Sequence, residues 1–246
     1  MSTKIVEACN LSFGWCSRRP AVLNIKSLEI VAGERVFIEG PSGSGKTTLL
    51  NLLAGVLLPK AGKLQVLGQD MATLSNRRRD RFRSDHIGFV FQSFNLVPYL
   101  SLIENVLLAC RFSGQRRARI AAAGRTPEEE AARLLSSLGL GDQALALRGV
   151  NQLSTGQQQR VAVARALIGQ PKLVICDEPT SALDADSREA FLVMLRAETE
   201  AAGATLIFVS HDRALAGGFD RTIVIPAINT NGKETNDLPF NSVGGP

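Results

Sequence analysis

Apolar and polar positions alternate in short runs from Lys4 to Ile38 (KIVEACNLSFGW, then VLNIKSLEIVAGERVFIEG), which predicts strands broken by a turn at Ala32–Gly33–Glu34. The apolar run Val36–Glu39 leads directly into a glycine-rich turn, and the following TTLLNLLAGVLL has helical spacing and ends near Pro59. Lys63–Val66, bracketed by glycines, predicts a further strand. NRRRDRFR over Asn76–Arg83 predicts a polar, solvated helix, and IGFVF over Ile87–Phe91 another strand. From about Asn95 to Ile168 the pattern is helical, including PEEEAARLLSSLGL with an acidic first turn and a stop at Gly139. Within that region the glycine-flanked basic stretch Gly114–Gly124 reads as a mobile surface connection. Strands return at Leu173–Asp177 and Leu206–Ser210 around a helix from about Ser187 to Ala201, and a loosely held tail is expected from Asn229. Strand–helix alternation at both ends of a helical stretch predicts an α/β fold with a parallel core and an inserted helical subdomain.

Composition narrows this only slightly. The 246 residues are 45% hydrophobic and 21% charged, which suits a folded chain with a sizeable core. The net charge of +5 is compatible with phosphate ligands and too small to argue for nucleic acid as a partner. Cys9, Cys16, Cys110 and Cys176 form no C-x-x-C pair and read as reduced thiols. No apolar run approaches the ~20 residues of a membrane helix, and the N-terminus lacks a signal core. Any work at a membrane is therefore expected to pass through a partner.

Candidate chemistry begins at Gly40–Thr48, GPSGSGKTT, which fits G-x-x-x-x-G-K-[ST] between a strand and a helix. Gly40, Ser42, Gly43, Ser44 and Gly45 form a loop whose amides can point at phosphate oxygens, with the positive end of the helix dipole behind them. Lys46 is placed to reach the β- and γ-phosphates, and Thr47, followed by Thr48, to ligate Mg²⁺. A chance match in a chain of this length is on the order of one in a hundred. LVICDEP then ends an apolar strand in two acids, where ligands gather in open α/β sheets. Asp177 is a candidate Mg²⁺ holder and Glu178 a candidate to polarise an attacking water; the plain alternative is a solvated strand end.

The remaining motifs resemble the ATP-binding-cassette family. LSTGQQQR at Leu153–Arg160 is similar to the signature L-S-G-G-Q, with Thr155 at the usual first glycine; alone it could be an ordinary helix cap with Ser154 capping. Gln92 resembles the family's glutamine loop, Ser181–Ala182–Leu183–Asp184 its aspartate loop and His211 its switch histidine. Trp15 stands where the family puts an aromatic under adenine. The resemblance spans about Ile5 to Ile225. It implies a P-loop NTPase fold with a RecA-like parallel core and an N-terminal antiparallel β region (1–92 and 166–228), a helical subdomain (93–165) and a tail (229–246). It also implies an ATPase using ATP and Mg²⁺, with Glu178, His211, Lys46 and Gln92 catalytic. Asp177, Thr47 and Gln92 would lie at the metal. Trp15, the phosphate loop, Ser154, Gly156, Gln157 and Asp184 would lie at the nucleotide.

By the same resemblance, two copies face each other head to tail around two ATP molecules, each held by one phosphate loop and the other copy's signature. A backbone of ordinary φ is expected at Thr155, and with it an active site. With one phosphate loop, no coiled-coil insertion and no C-terminal regulatory domain, the chain looks like a minimal subunit paired with an integral-membrane permease at the cytoplasmic face of the inner membrane. GPSGSGKTTLLNLLAGVLLPKAG and IGFVFQSFNLVPYLSLIENV are most like the lipoprotein-releasing and macrolide-efflux branch. The permease contact is expected around Gln92–Glu104, with Phe94, Leu96, Val97, Pro98, Tyr99 and Leu100 forming a groove wherever they are exposed. The alternative is a regulatory scaffold, similar to the cell-division relative, whose ATP-driven dimerisation recruits partners.

Overall fold

The computed structural model describes residues 3–16, 20–142, 149–181 and 183–230. Two sheets carry the α/β architecture. β1 (Lys4–Phe13), β2 (Leu23–Val31), β4 (Ala61–Val66) and β5 (Gln69–Asp70) form an antiparallel sheet in the order β2-β1-β4-β5. β3 (Arg35–Glu39), β6 (Ile87–Val90), β7 (Leu173–Asp177), β8 (Thr205–Val209) and β9 (Arg221–Val224) form a parallel sheet in the order β6-β7-β8-β3-β9. The alternation expected near the N-terminus is visible in β1 and β2, whose inward side chains are buried and outward ones exposed. β7 and β8 are buried at every position, as parallel strands covered on both faces must be.

Phosphate-loop helix α1 spans Lys46–Leu53 and stops short of Pro59, because Gly55 turns the chain with φ 66. α2 (Asn76–His86) is capped by Ser75 and buries only Phe82 and Asp85 of its residues. α3 (Leu102–Arg111) and α5 (Pro127–Ser137) each begin with a capping box, Ser101 with Glu104 and Thr126 with Glu129. α5 stops ahead of Gly139 at φ 72. α6 (Thr155–Leu167) and α7 (Ala185–Ala201) flank β7, and α8 (Ile225–Ile228) follows β9. Among the described residues no helix is long and apolar enough to cross a membrane.

Two expectations are corrected. Gly114–Gly124 is no mobile connection: Gly114–Ala122 is helix α4, and Arg116 within it is 2% exposed. Its guanidinium donates to the carbonyls of Ser84, Ile87, Ala166 and Ile168, at the C-terminal ends of α2 and α6 and the start of β6. Those carbonyls need donors, and the helix dipoles favour a cation there. Burial nevertheless lowers the Arg116 pKa to about 10. The tail also starts later than Asn229, whose side chain bonds Asn24 N and Val22 O while Thr230 Oγ1 donates to Asn24 O. Residues 231–246 lie outside the described residues.

The helices and the sheet approach unusually closely at one seam. A Cβ built on Gly88 of β6 would stand 2.3 Å from the Ala166 carbonyl oxygen of α6, so only glycine fits there.

Candidate active site

The site assembles where β3, β7 and β8 end, the edge at which a parallel sheet leaves its turns free. From β3 the chain enters the loop Gly40–Gly45, with φ 79 at Gly43 and φ 97 at Gly45 as the N-cap of α1. A side chain at Gly45 would also strike Leu23 Cδ2 at 2.7 Å. Lys46 Nζ donates to Gly40 O at 2.7 Å and Pro41 O at 3.1 Å, and lies 3.7 Å from Glu178 Oε1. Ser44 Oγ is buried without a partner inside the loop. A buried hydroxyl left over beside a lysine and a helix N-terminus suits a phosphate oxygen.

Asp177 ends β7, buried, with the Thr47 side chain near enough to favour its charged form. Burial is the largest influence on its carboxyl and raises its pKa; the Thr47 side chain opposes that, Glu178 adds to it and Lys46 opposes it. A threonine hydroxyl near a partly desolvated carboxylate offers hard oxygen donors, the set Mg²⁺ takes alongside nucleotide phosphates. The residues present fit that ion.

Glu178 adopts φ 46, left-handed backbone that a glutamate occupies at a cost of about 1–2 kcal/mol. Its amide bonds Val209 O at 3.0 Å, which fixes the peptide against β8 and turns the side chain away from that of Asp177. Glu178 Oε2 then meets His211 Nδ1 at 3.2 Å. Asp212 beside it is bonded by Arg188 of α7, and Arg213 Nε lies 2.9 Å from Glu39 Oε2.

Lys46, Glu178 and His211 thus form one line of contacts with the Thr47–Asp177 pair beside it. Among the described residues no hydrogen bond joins Trp15, Gln92, Ser154, Gly156 or Gln157 to that line. Trp15 is 67% exposed and packs edge-on to Phe13. Gln92 is exposed just beyond β6. Ser154 caps α6 in a capping box with Gln157, and Thr155 is its first residue. Thr155 is not among the residues of positive φ, in agreement with the ordinary backbone expected for it. Asp184 caps α7 through Ser187, and Ala182 lies outside the described residues. Of the anticipated groove residues, Tyr99 is 85% exposed and Pro98 exposed, whereas Phe94 is buried.

Sequence reasoning missed the arginines and glutamine that brace these groups. Arg165, Arg188, Arg213 and Gln159 read as ordinary polar positions on helices and turns. Nothing in their spacing reveals that Gln159 Nε2 reaches Pro179 O at 2.6 Å.

Comparison with known proteins gives a family and a fold. The family described as ABC transporter matches residues 23–181. The chain is 39% identical over 221 residues to the lipoprotein-releasing system ATP-binding protein LolD of Syntrophotalea carbinolica, covering 89% of this chain and 93% of that protein. It is 42% identical over 202 residues to the macrolide export ATP-binding/permease protein MacB of Rhodopirellula baltica, 82% of this chain but only 28% of that longer protein. The ATP-binding cassette MJ0796, solved as a dimer in a post-hydrolysis state bound to ADP and Pi, superposes with a TM-score of 0.76 at 35% identity, covering 89% of this chain and 93% of that one. The chain belongs to the ABC transporter family and is an ATP-binding, ATP-hydrolysing cassette of it.

Proposed function

We propose that this cassette works as a pair of identical copies that close head to tail on two Mg-ATP molecules and open after hydrolysis, passing that motion to a membrane permease. The observation that carries the reading is the line Lys46–Glu178–His211 at the strand ends beside the phosphate loop. In it the loop amides and Lys46 hold the triphosphate, with the Ser44 hydroxyl as a further donor. Glu178 orients the attacking water and draws its proton, and His211, fixed by Glu178, supports the γ-phosphate. Thr47 and Asp177, with Gln92 nearby, would hold Mg²⁺, which neutralises phosphate charge when bound. Trp15 offers an exposed ring for adenine. Ser154, Gly156, Gln157 and Asp184 serve the nucleotide of the facing copy, where the α6 N-terminus favours anionic charge. The MJ0796 dimer supports the pairing.

Residues 93–165 act as the arm that presents Ser154. The permease docks beside Gln92–Glu104, against a cleft walled by Phe89, Leu108, Ala109 and Phe112, with Tyr99 and the 74%-exposed Phe112 at hand. The likeness to lipoprotein-releasing and macrolide-export proteins supports an amphiphilic cargo, a lipoprotein, lipid or drug-like molecule, handled from the cytoplasmic face of the membrane.

The test is Mg-ATP hydrolysis and size exclusion of the purified chain beside Glu178→Gln. Turnover in the wild type, with a slow variant that elutes as a dimer in Mg-ATP, is expected. ATP-driven dimerisation with negligible wild-type turnover would instead favour a recruiting scaffold, and a monomer in both would overturn the paired site.

A further inference from the structure

Phe94 and Asn95 are consecutive residues with φ 59 and φ 49. Asparagine tolerates left-handed backbone, but for phenylalanine it is strained, so something must hold the pair. The Phe94 ring is buried in the core formed with α3, α6 and β7, which anchors one side. The other is held by Arg165 of α6, whose Nη2 donates to Phe94 O at 2.5 Å and Nη1 to Asn95 O at 2.7 Å. A planar fork on two adjacent carbonyls is geometry that lysine cannot reproduce. None of the partners is a carboxylate, so the charge is committed to backbone. Hydrogen bonds from a charged donor are among the stronger ones in proteins, and two of them offset the backbone cost.

What the clamp fixes lies beside the active site. Phe94 N bonds Phe91 O at 3.0 Å, closing a tight turn with Gln92 inside it. The helix bearing the clamp is also capped by Ser154 and is tied by Gln159 to Pro179, the residue after Glu178. One rod therefore touches the glutamine turn, the signature cap and the glutamate segment.

We propose that Arg165 is a positioning residue that sets the placement of Gln92 for hydrolysis and slaves it to the signature helix. This rests on the reading that Gln92 serves the reaction. Arg165→Met is then expected to lower kcat about tenfold while KM for ATP stays within about twofold, since only the placement of a reacting-state group changes.

The experiment is a double-mutant cycle on ATP hydrolysis with wild type, Gln92→Ala, Arg165→Met and the double variant, joined by hydrogen–deuterium exchange. If Arg165 acts through Gln92, the double variant is no slower than Gln92→Ala alone, and exchange rises at residues 92–97 but not in α1. Arg165→Lys, which keeps the charge without the fork, is expected to fall between. Multiplying losses, or a rise in KM matching the fall in kcat, would overturn the proposal. So would unchanged exchange at 92–97. Should Arg165→Met fail to fold, the cycle is run with Arg165→Lys. Wild-type turnover in Gln92→Ala alone would show instead that the reading of Gln92 had failed.

Discussion

Arg213 Nε stands 2.9 Å from Glu39 Oε2, joining the turn that carries His211 to the last residue of β3. Glu39 is only 8% exposed and directly precedes the phosphate loop, so its charge lies where a triphosphate must be welcomed. Arg213 neutralises that carboxylate and fixes the spacing between the loop and His211.

Arg213→Ala leaves a nearly buried carboxylate unpaired beside the phosphates. Because Arg213 itself is largely exposed, the penalty is discounted to about 1 kcal/mol, a rise in KM for ATP of about fivefold. Arg213→Ala combined with Glu39→Met removes both charges and is expected to restore KM to near the wild-type value. Steady-state kinetics on the two variants check this, and a double variant as weak as the single one would refute the charge argument.

The Asp177 carboxyl carries a pKa raised chiefly by burial. The sign follows from linkage: its neutral form is favoured in the folded state, so stability is fullest below the ordinary aspartate value of 3.8 and is lost as pH rises through the raised one. At neutral pH the folded chain bears that cost in full. Without Mg²⁺ or nucleotide, Asp177→Asn is expected to raise Tm by about 1–4 °C at pH 7, and the gain should vanish at the acid end of that window. Thermal unfolding in EDTA across pH measures it; a variant no more stable than wild type at pH 7 contradicts the assignment.

Arg116 serves four carbonyls from α4, so its removal strips donors from buried acceptors. Arg116→Met is expected to cost about 3 kcal/mol or more, roughly 6–12 °C in Tm. Urea titration together with activity at low temperature separates the effects: the midpoint falls, while turnover of the folded fraction stays within about twofold. Unchanged stability would mean that water replaces the guanidinium without loss.

Thr155 is the first residue of α6 and its backbone is ordinary, so the usual glycine is not demanded there. Thr155→Gly is expected to lower Tm by about 1–2 °C through chain entropy and to leave kcat within about twofold. A large gain in ATP turnover would instead show that the threonine weakens the signature.

The strands, the phosphate loop and the Asp177–Glu178 pair were legible because period, glycine placement and charge at a strand end are local signals. The parallel core follows from strand–helix alternation, whereas the antiparallel pairing of the N-terminal strands is implied only by the family resemblance. Arg116 shows what was not legible: GQRRARIAAAG is polar and glycine-flanked, and only the meeting of α2, β6 and α6 provides a pocket of carbonyls that accepts a buried cation. Short β5 and the late strand β9 were also missed, the first because two residues carry no period, the second because its alternation is weak. Helix α1 was overextended because apolar residues continue through Leu58, while the backbone reverses at Gly55.

At Gly88 a single added carbon would meet the Ala166 carbonyl at 2.3 Å, so strand β6 and helix α6 touch backbone to backbone at that point, and the Arg116 guanidinium ties Ile87 O to Ala166 O beside it. A joint packed in that way has no backlash. A substituent at Gly88 would have to push the end of α6 off the sheet, so this seam fixes the distance between β6 and α6. The missing side chain at Gly88 thus sets how near the helix can lie to the sheet.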